Sequence, residues 1–258
     1  MNLESMVQIR KGLVLDLLSG GYSLTKKEAQ SMVGDFSLPS KMPCKCWSVP
    51  PSRCNVGGRL MQVEGSICRN GYCHTGHYEM PTTQGAMARR FQLWEQRVIV
   101  NWIANFSLGI GKDQYFRWFD NGDVQGIEML ADILTIAQLN PETRFWLPTK
   151  EYNLISQNMD YIEGYDNLTV RVSLPMINQR TKPSHLKRYG RTSEVFTEGS
   201  APTGFICPAY KVKPAKCGTC RACWDKGVPT VGYPYHGKTA PLLKVTKPFK
   251  GASYLLSP

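Results

Sequence analysis

What is scarce in this sequence excludes several functions. No stretch approaches the roughly 20 consecutive apolar residues that a bilayer-crossing helix needs, so no membrane partner is expected. Acidic residues are few: 20 Asp and Glu stand against 31 Lys and Arg, a formal net charge of +11. Cysteine is absent from the 133 residues between Cys73 and Cys207. There is no phosphate-binding P-loop, no dinucleotide fingerprint and no Ser-His-Asp pattern, and Gly109-x-Gly111-Lys112 is too short for a phosphate loop. Internal repeats and low-complexity linkers are missing as well. The opening segment has only a short apolar run, an early Glu4 and no small-residue cleavage site, so it reads as part of the fold and not as a signal peptide. The expected location is therefore the cytoplasm, where thiols stay reduced.

The cysteines that are present fall into two groups. Cys44, Cys46, Cys54, Cys68 and Cys73 form one, and Cys207, Cys217, Cys220 and Cys223 the other. Core cysteines scatter, whereas ligand sets cluster, and in a reducing compartment a cluster favours metal over disulfide. In the second group two overlapping C-x2-C units put three thiols on one tight loop, with Cys207 as a distant fourth. A cubane accepts three adjacent ligands of this kind, while structural zinc takes two separated pairs. The triplet thus favours a 4Fe–4S cluster, with zinc as the alternative metal. Lys211, Lys213, Lys216 and Arg221 surround the loop and offset thiolate charge. The first group matches no standard ferredoxin or zinc spacing. A second centre there would draw on three or four of the five thiols, with His74 and His77 as further nitrogen donors.

The excess of positive charge points to a polyanion, a nucleic acid or a nucleotide phosphate, as partner. Its densest stretch is Arg180, Lys182, His185, Lys187, Arg188 and Arg191, and a second tract holds Lys238, Lys244, Lys247 and Lys250. The plain reading of both is a solvated face.

The 258 residues suit one domain with three textures. Residues 1–84 form a Cys-rich, loop-dominated segment in which something other than an apolar core organises the chain. Residues 85–175 are a β/α core, and 176–258 a second Cys-rich, loop-dominated segment. In the core, Ala86–Phe106 has helical spacing and Tyr115–Phe119 reads as a strand. Asp120-Asn121-Gly122-Asp123 is a turn whose last residue caps a helix over Gly126–Leu139. Arg144–Leu147 is a strand stopped by Pro148, a helix runs from Thr149 or Lys150 to before Asn167, and Leu168–Leu174 is a third strand. Short connections between alternating strands and helices imply a parallel sheet, which gathers function at the carboxyl ends of its strands. That rim holds Asp120, Asn121 and Asp123, then Thr149, Lys150 and Glu151, then Ser173, Asn178 and Arg180.

Six stretches carry a resemblance: Lys41-Met42-Pro43-Cys44, Gly65-Ser66-Ile67-Cys68, YFRWFDNGDVQ from Tyr115, FWLPTKEY from Phe145, NLTVRVS from Asn167 and CGTCRACWD from Cys217. In this order, over about residues 38–236, they resemble the gene product 88 family of bacteriophages, which implies a phage gene acting in the host cytoplasm. The middle also resembles part of a radical S-adenosylmethionine barrel. That resemblance implies a partial (β/α) barrel-like parallel sheet, with Asp120, Asn121 and Ser173 at the cofactor and the tail cysteines around an auxiliary cluster. The C-x3-C-x2-C signature is absent, and Cys68-x4-Cys73 is a partial echo of it. Either Cys44, Cys46 or Cys54 completes an atypical cluster, or the barrel has lost this chemistry.

Three functions compete. One is an iron–sulfur enzyme acting on a nucleotide or nucleic acid, with Asp120, Asp123, Lys150, Glu151 and Ser173 lining its cavity. Another is a non-catalytic, metal-stabilised nucleic-acid-binding protein. The third is a factor that binds and redirects a host protein.

Overall fold

Apolar residues at every second position set the architecture. Phe116 and Trp118, Phe145 and Leu147, and Leu168, Val170 and Val172 alternate with Arg117, Trp146, Thr169 and Arg171. Alternate residues of a strand point to opposite faces of its sheet. The computed structural model describes residues 1–71, 73 and 75–235. His74 and the basic tract from Lys238 to Lys250 lie outside these residues.

Seven strands form one sheet: β1 (Lys45–Trp47), β2 (Tyr115–Trp118), β3 (Arg144–Thr149), β4 (Leu168–Ser173), β5 (Thr192–Phe196), β6 (Phe205–Ile206) and β7 (Thr230–Pro234). Their order is β1-β2-β3-β4-β5-β7-β6, and every pairing is parallel. The sheet does not close on itself, so β1 and β6 are its edges. The β/α core implied a parallel α/β sheet, and the sheet is all-parallel; it is open, with no closed barrel.

The outer face of the sheet is covered by three helices that also pack on one another: α1 (Leu3–Ser19), α6 (Ile99–Ile110) and α7 (Ile127–Leu139). Between them lie α2 (Lys26–Met32), α3 (Asn55–Leu60), α4 (Ile67–Asn70) and α5 (Pro81–Glu95). The chain continues through α8 (Tyr152–Gln157), α9 (Met159–Glu163) and α10 (Pro183–Tyr189). Phe106 of α6 stacks on Trp118 of β2 at 4.7 Å, inside a core that also takes in Phe116, Phe145, Leu147, Val170 and Leu134. Asp132 of α7 is buried in this layer and tied to Arg10 (2.7 Å), Arg97 (2.9 Å) and the Trp94 indole (2.8 Å). Burial nonetheless pushes its carboxyl up to about 6.

Several expectations need correction. The terminal segments are not loop-dominated: α1 has 17 residues, and Leu3, Met6, Val7, Val14 and Val33 belong to the main apolar core. The stretch after residue 176 supplies β5, β6 and β7. The helix expected over Ala86–Phe106 is two helices, α5 and α6, separated at residues 96–98. That expected after Thr149 is broken at Asn158 into α8 and α9. Strand β3 runs through Pro148 to Thr149, with Pro148 in register with Arg171. One missing N–H removes one rung, and buried Leu147 and Thr149 hold the strand on either side. Among the described residues no helix is long and apolar enough to cross a membrane.

Candidate functional site

The inner face of the sheet carries Arg117, Trp146, Thr169, Arg171 and Ser173, and the tail loop folds back over it. Trp224 lies at its base: the indole donates to the Phe116 carbonyl (2.9 Å), and its own carbonyl accepts from the Thr169 hydroxyl (2.8 Å). Arg171, with no exposed surface, donates to the carbonyls of Ala222 (2.8 Å), Asp225 (2.9 Å) and Cys223 (3.2 Å).

Above this base is a cavity of about 220 Å³. Six of the nine cysteines line it, drawn from both ends of the sequence: Cys54, Cys68 and Cys73, and Cys207, Cys217 and Cys223. Cys54 precedes α3 and Cys68 lies in α4, yet both sulfurs are 3.6 Å from the point where Gly57 would carry a Cβ. A side chain at Gly57 would press on Cys54 at 2.9 Å. Cys73 feels the charge of Cys68, and Cys54 feels both. Of the three candidates, Cys54 is the one that lies near Cys68 and Cys73. Cys44 packs instead with Met42, Trp146 and Trp224, and Cys46 is buried on β1; neither lines the cavity. In the tail set Cys207, Cys217, Cys220 and Cys223 gather around Ala209, Ala222 and Val231. The Tyr233 hydroxyl lies 3.1 Å from the Cys223 sulfur.

The strand-end residues meet at the same cavity. Phe119 (φ 49°) and Gly122 (φ 79°) turn the chain after β2 through left-handed conformations. At Gly122 a Cβ would lie 2.3 Å from the Val49 carbonyl oxygen, so only glycine fits. This turn holds Asp120 between Ser48 and the Tyr78 hydroxyl (2.9 Å), and sets the Asn121 amide 3.4 Å from the Cys73 carbonyl. Asp123 does not cap the next helix, whose cap position is Gly126. It binds the Thr149 hydroxyl (2.6 Å) and the Lys150 N–H (2.8 Å), tying the ends of β2 and β3 together. Asp120, Asn121, Asp123, Lys150 and Ser173 all line the cavity. Glu151 does not; its carboxylate accepts from Val56 N–H (3.2 Å) at the start of α3.

Burial dominates the electrostatics. It pushes the Cys54 and Cys68 thiols up, Cys73 and Cys223 up to about 11, and Cys44 up to about 12. Burial raises Asp123, and burial with the nearby Asp123 charge lifts Glu151 to about 7. Lys41 is lowered by burial and by Arg117, while the charges of Cys207, Cys217 and Cys223 act the other way. Sequence reasoning missed Lys41, Arg117, Trp146 and Arg171, and read Tyr233 only as an aromatic for base stacking. The signal was the alternation that sets Arg117 and Arg171 opposite apolar neighbours. Among the described residues no group of three or more His, Cys, Asp or Glu side chains is arranged to hold a metal ion. The expected metal-binding segments are thus not present as ready-made ion sites.

No curated protein and no solved structure matches the chain. A family described as gene product 88 matches residues 17–226, which is 210 of 258 residues and takes in all nine cysteines, the Asp120–Asp123 turn and Ser173. The chain belongs to the gene product 88 family, known from bacteriophages.

Proposed function

We propose that this protein is an iron–sulfur enzyme related to the radical S-adenosylmethionine type, and that its reaction takes place in the cavity on the inner face of the sheet. One observation carries the reading: six cysteines remote in sequence face one cavity whose rim is polar strand-end residues. A single ion needs its thiolates about 2.3 Å from one point. A cluster spreads them over the corners of a cage. Thiols that line a cavity without converging suit the cluster, and zinc is the weaker alternative. Lys41, Arg117 and Arg171 beside the tail set, and Lys150 beside the other, supply the positive charge that ligated thiolates attract.

In this reading Cys54, Cys68 and Cys73 hold one 4Fe–4S cluster, and Cys207, Cys217, Cys220 and Cys223 hold another. S-adenosylmethionine bound at the first would supply radical chemistry on taking up one electron, delivered through that cluster from an external one-electron reductant. Asp120, Asn121 and Ser173 are the residues that would face it, and Asp123 and Lys150 fix the rim. The substrate is a nucleotide or nucleic acid, in keeping with the basic surface. The test is anaerobic purification with iron, sulfide and zinc counted per chain, followed by titration with S-adenosylmethionine. About eight iron and eight sulfide are expected for two cubanes. Zinc without sulfide would sink the reading.

A second reading rests on the exposed Lys211, Lys213 and Lys216 beside the tail thiols, and on Arg180, Lys182 and Lys187 near α10. In it the protein binds nucleic-acid phosphates without catalysis. Binding that falls steeply with salt, with no affinity for S-adenosylmethionine, is its signature.

A further inference from the structure

Three cations stand beside the tail loop, and the chain uses them differently. Arg171 has no exposed surface and does not line the cavity; its donors go to the carbonyls of Ala222, Cys223 and Asp225. Arg117 and Lys41 both line the cavity. The Arg117 guanidinium lies 4.4 Å from the centre of the Trp146 ring, with one nitrogen 3.3 Å from the Phe119 carbonyl. The Lys41 ammonium sits 4.4 Å from the centre of the Tyr210 ring and bonds its hydroxyl. The two cations are near enough for the Arg117 charge to act against the Lys41 ammonium. Burying like charges side by side opposes folding unless an anion joins them.

Among the described residues no carboxylate forms an ion pair with Lys41. The acidic side chains of the cavity are engaged at the ends of β2 and β3: Asp120 by Ser48 and Tyr78, and Asp123 by Thr149 and the Lys150 N–H. Trp146 is 5% exposed and lines the cavity, yet its indole N–H has no hydrogen-bond partner among the described residues. A guanidinium fork beside an ammonium is a pairing suited to phosphate, the first for its paired donors and the second as a point charge. Size narrows the guest further. An apolar cavity of about 150 Å³ takes one benzene ring. The 220 Å³ here therefore suits a small organic anion or one end of a nucleotide, and not a nucleic-acid strand.

We propose that Lys41 and Arg117, with Trp146 packed against Arg117, form an anion subsite in the cavity, and that it takes the phosphate group of the substrate. The substrate is then a small phosphorylated molecule or a single nucleotide. This rests on the reading above in placing the substrate in this cavity, and on no metal.

The experiment is a calorimetric titration of the full-length protein, with iron and sulfide counted beforehand, using inorganic phosphate, AMP and adenosine as probes. Phosphate and AMP bind and compete for one site, and adenosine binds at least about tenfold more weakly than AMP. Lys41→Met and Arg117→Met each weaken phosphate and AMP about tenfold or more, the usual loss when a charged donor to an anion is removed. Lys187→Met, at an exposed position of α10, leaves both affinities unchanged. If Arg117→Met does not accumulate, the partly exposed Lys41 still carries the test. A wild-type chain that binds neither phosphate nor AMP overturns the proposal, as does adenosine held as tightly as AMP, or Lys41→Met binding like the wild type. An equal loss in Lys187→Met overturns it too, because the anion then sits on the basic surface. A chain without iron or sulfide that binds phosphate and loses it in Lys41→Met supports the subsite and removes the iron–sulfur reading. An iron-loaded chain that binds S-adenosylmethionine but neither phosphate nor AMP does the reverse.

Discussion

The two faces of the sheet are built from the same strands and obey opposite rules. On the outer face Phe116, Trp118, Phe145, Leu147, Val170 and Val172 pack under helices in one continuous apolar core. On the inner face Arg117 and Arg171 are also buried, but against carbonyls and indole rings. Burying a guanidinium gains little unless its donors are used, because its desolvation opposes folding. The outer face therefore stores stability, and the inner face holds groups in place at some expense of it. The alternation of the strands lets one sheet do both.

The sharpest way to break this comparison is to empty one site on each face. Phe145→Ala on the outer side should destabilise by about 3–5 kcal/mol in denaturant unfolding, the usual cost of deleting a buried aromatic. Arg171→Met on the inner side should cost about 1–3 kcal/mol, because it takes a charged donor away from three carbonyls at once. Its larger effect is local: amide exchange over residues 217–225 should quicken while that of α6 and α7 does not. Equal global losses for the two variants would mean that the inner face is core like the outer.

The smallest effect concerns pH. Burial raises the Glu151 carboxyl from its ordinary 4.5 to about 7. A group whose folded-state pKa is raised adds stability below its unfolded pKa, and that stability is lost as pH rises through the folded value. Stability should therefore sag between about pH 4.5 and 7, and Glu151→Gln should flatten that part of the profile. An unchanged profile in the variant would assign the titration elsewhere.

Much of this was legible in the sequence, for a physical reason. Period-two alternation in NLTVRVS and the apolar FWLPT fixed β4 and β3 within a residue or two, and short connections made the sheet parallel. The shared rim of Asp120, Asn121, Asp123, Lys150 and Ser173 followed from the carboxyl-end rule, and the cavity brings all five together. What stayed hidden depended on contacts between distant segments. Nothing local tells Cys54 from Cys44 and Cys46; only the approach of α3 to α4 over Gly57 does so. Glu151 was expected at the cavity, yet its neighbour Val56 N–H draws it to the start of α3. The N-terminal helices were masked by Gly and Pro in the segments after them, which made the whole stretch look irregular.

The edges of the sheet have one last consequence. β1 offers three residues and β6 two, too short a ladder for another strand to extend. What spans the gap between them is Lys41, through its carbonyl to Cys217 and its ammonium to Tyr210. The wall of the chamber is thus a seam of side chains, with Met42 and Cys44 packed on Trp224 and the Met42 thioether 4.0 Å from Cys217 Sγ, and not a continuous weave. Parting that seam would break no strand pairing, because β1 pairs only with β2 and β6 only with β7.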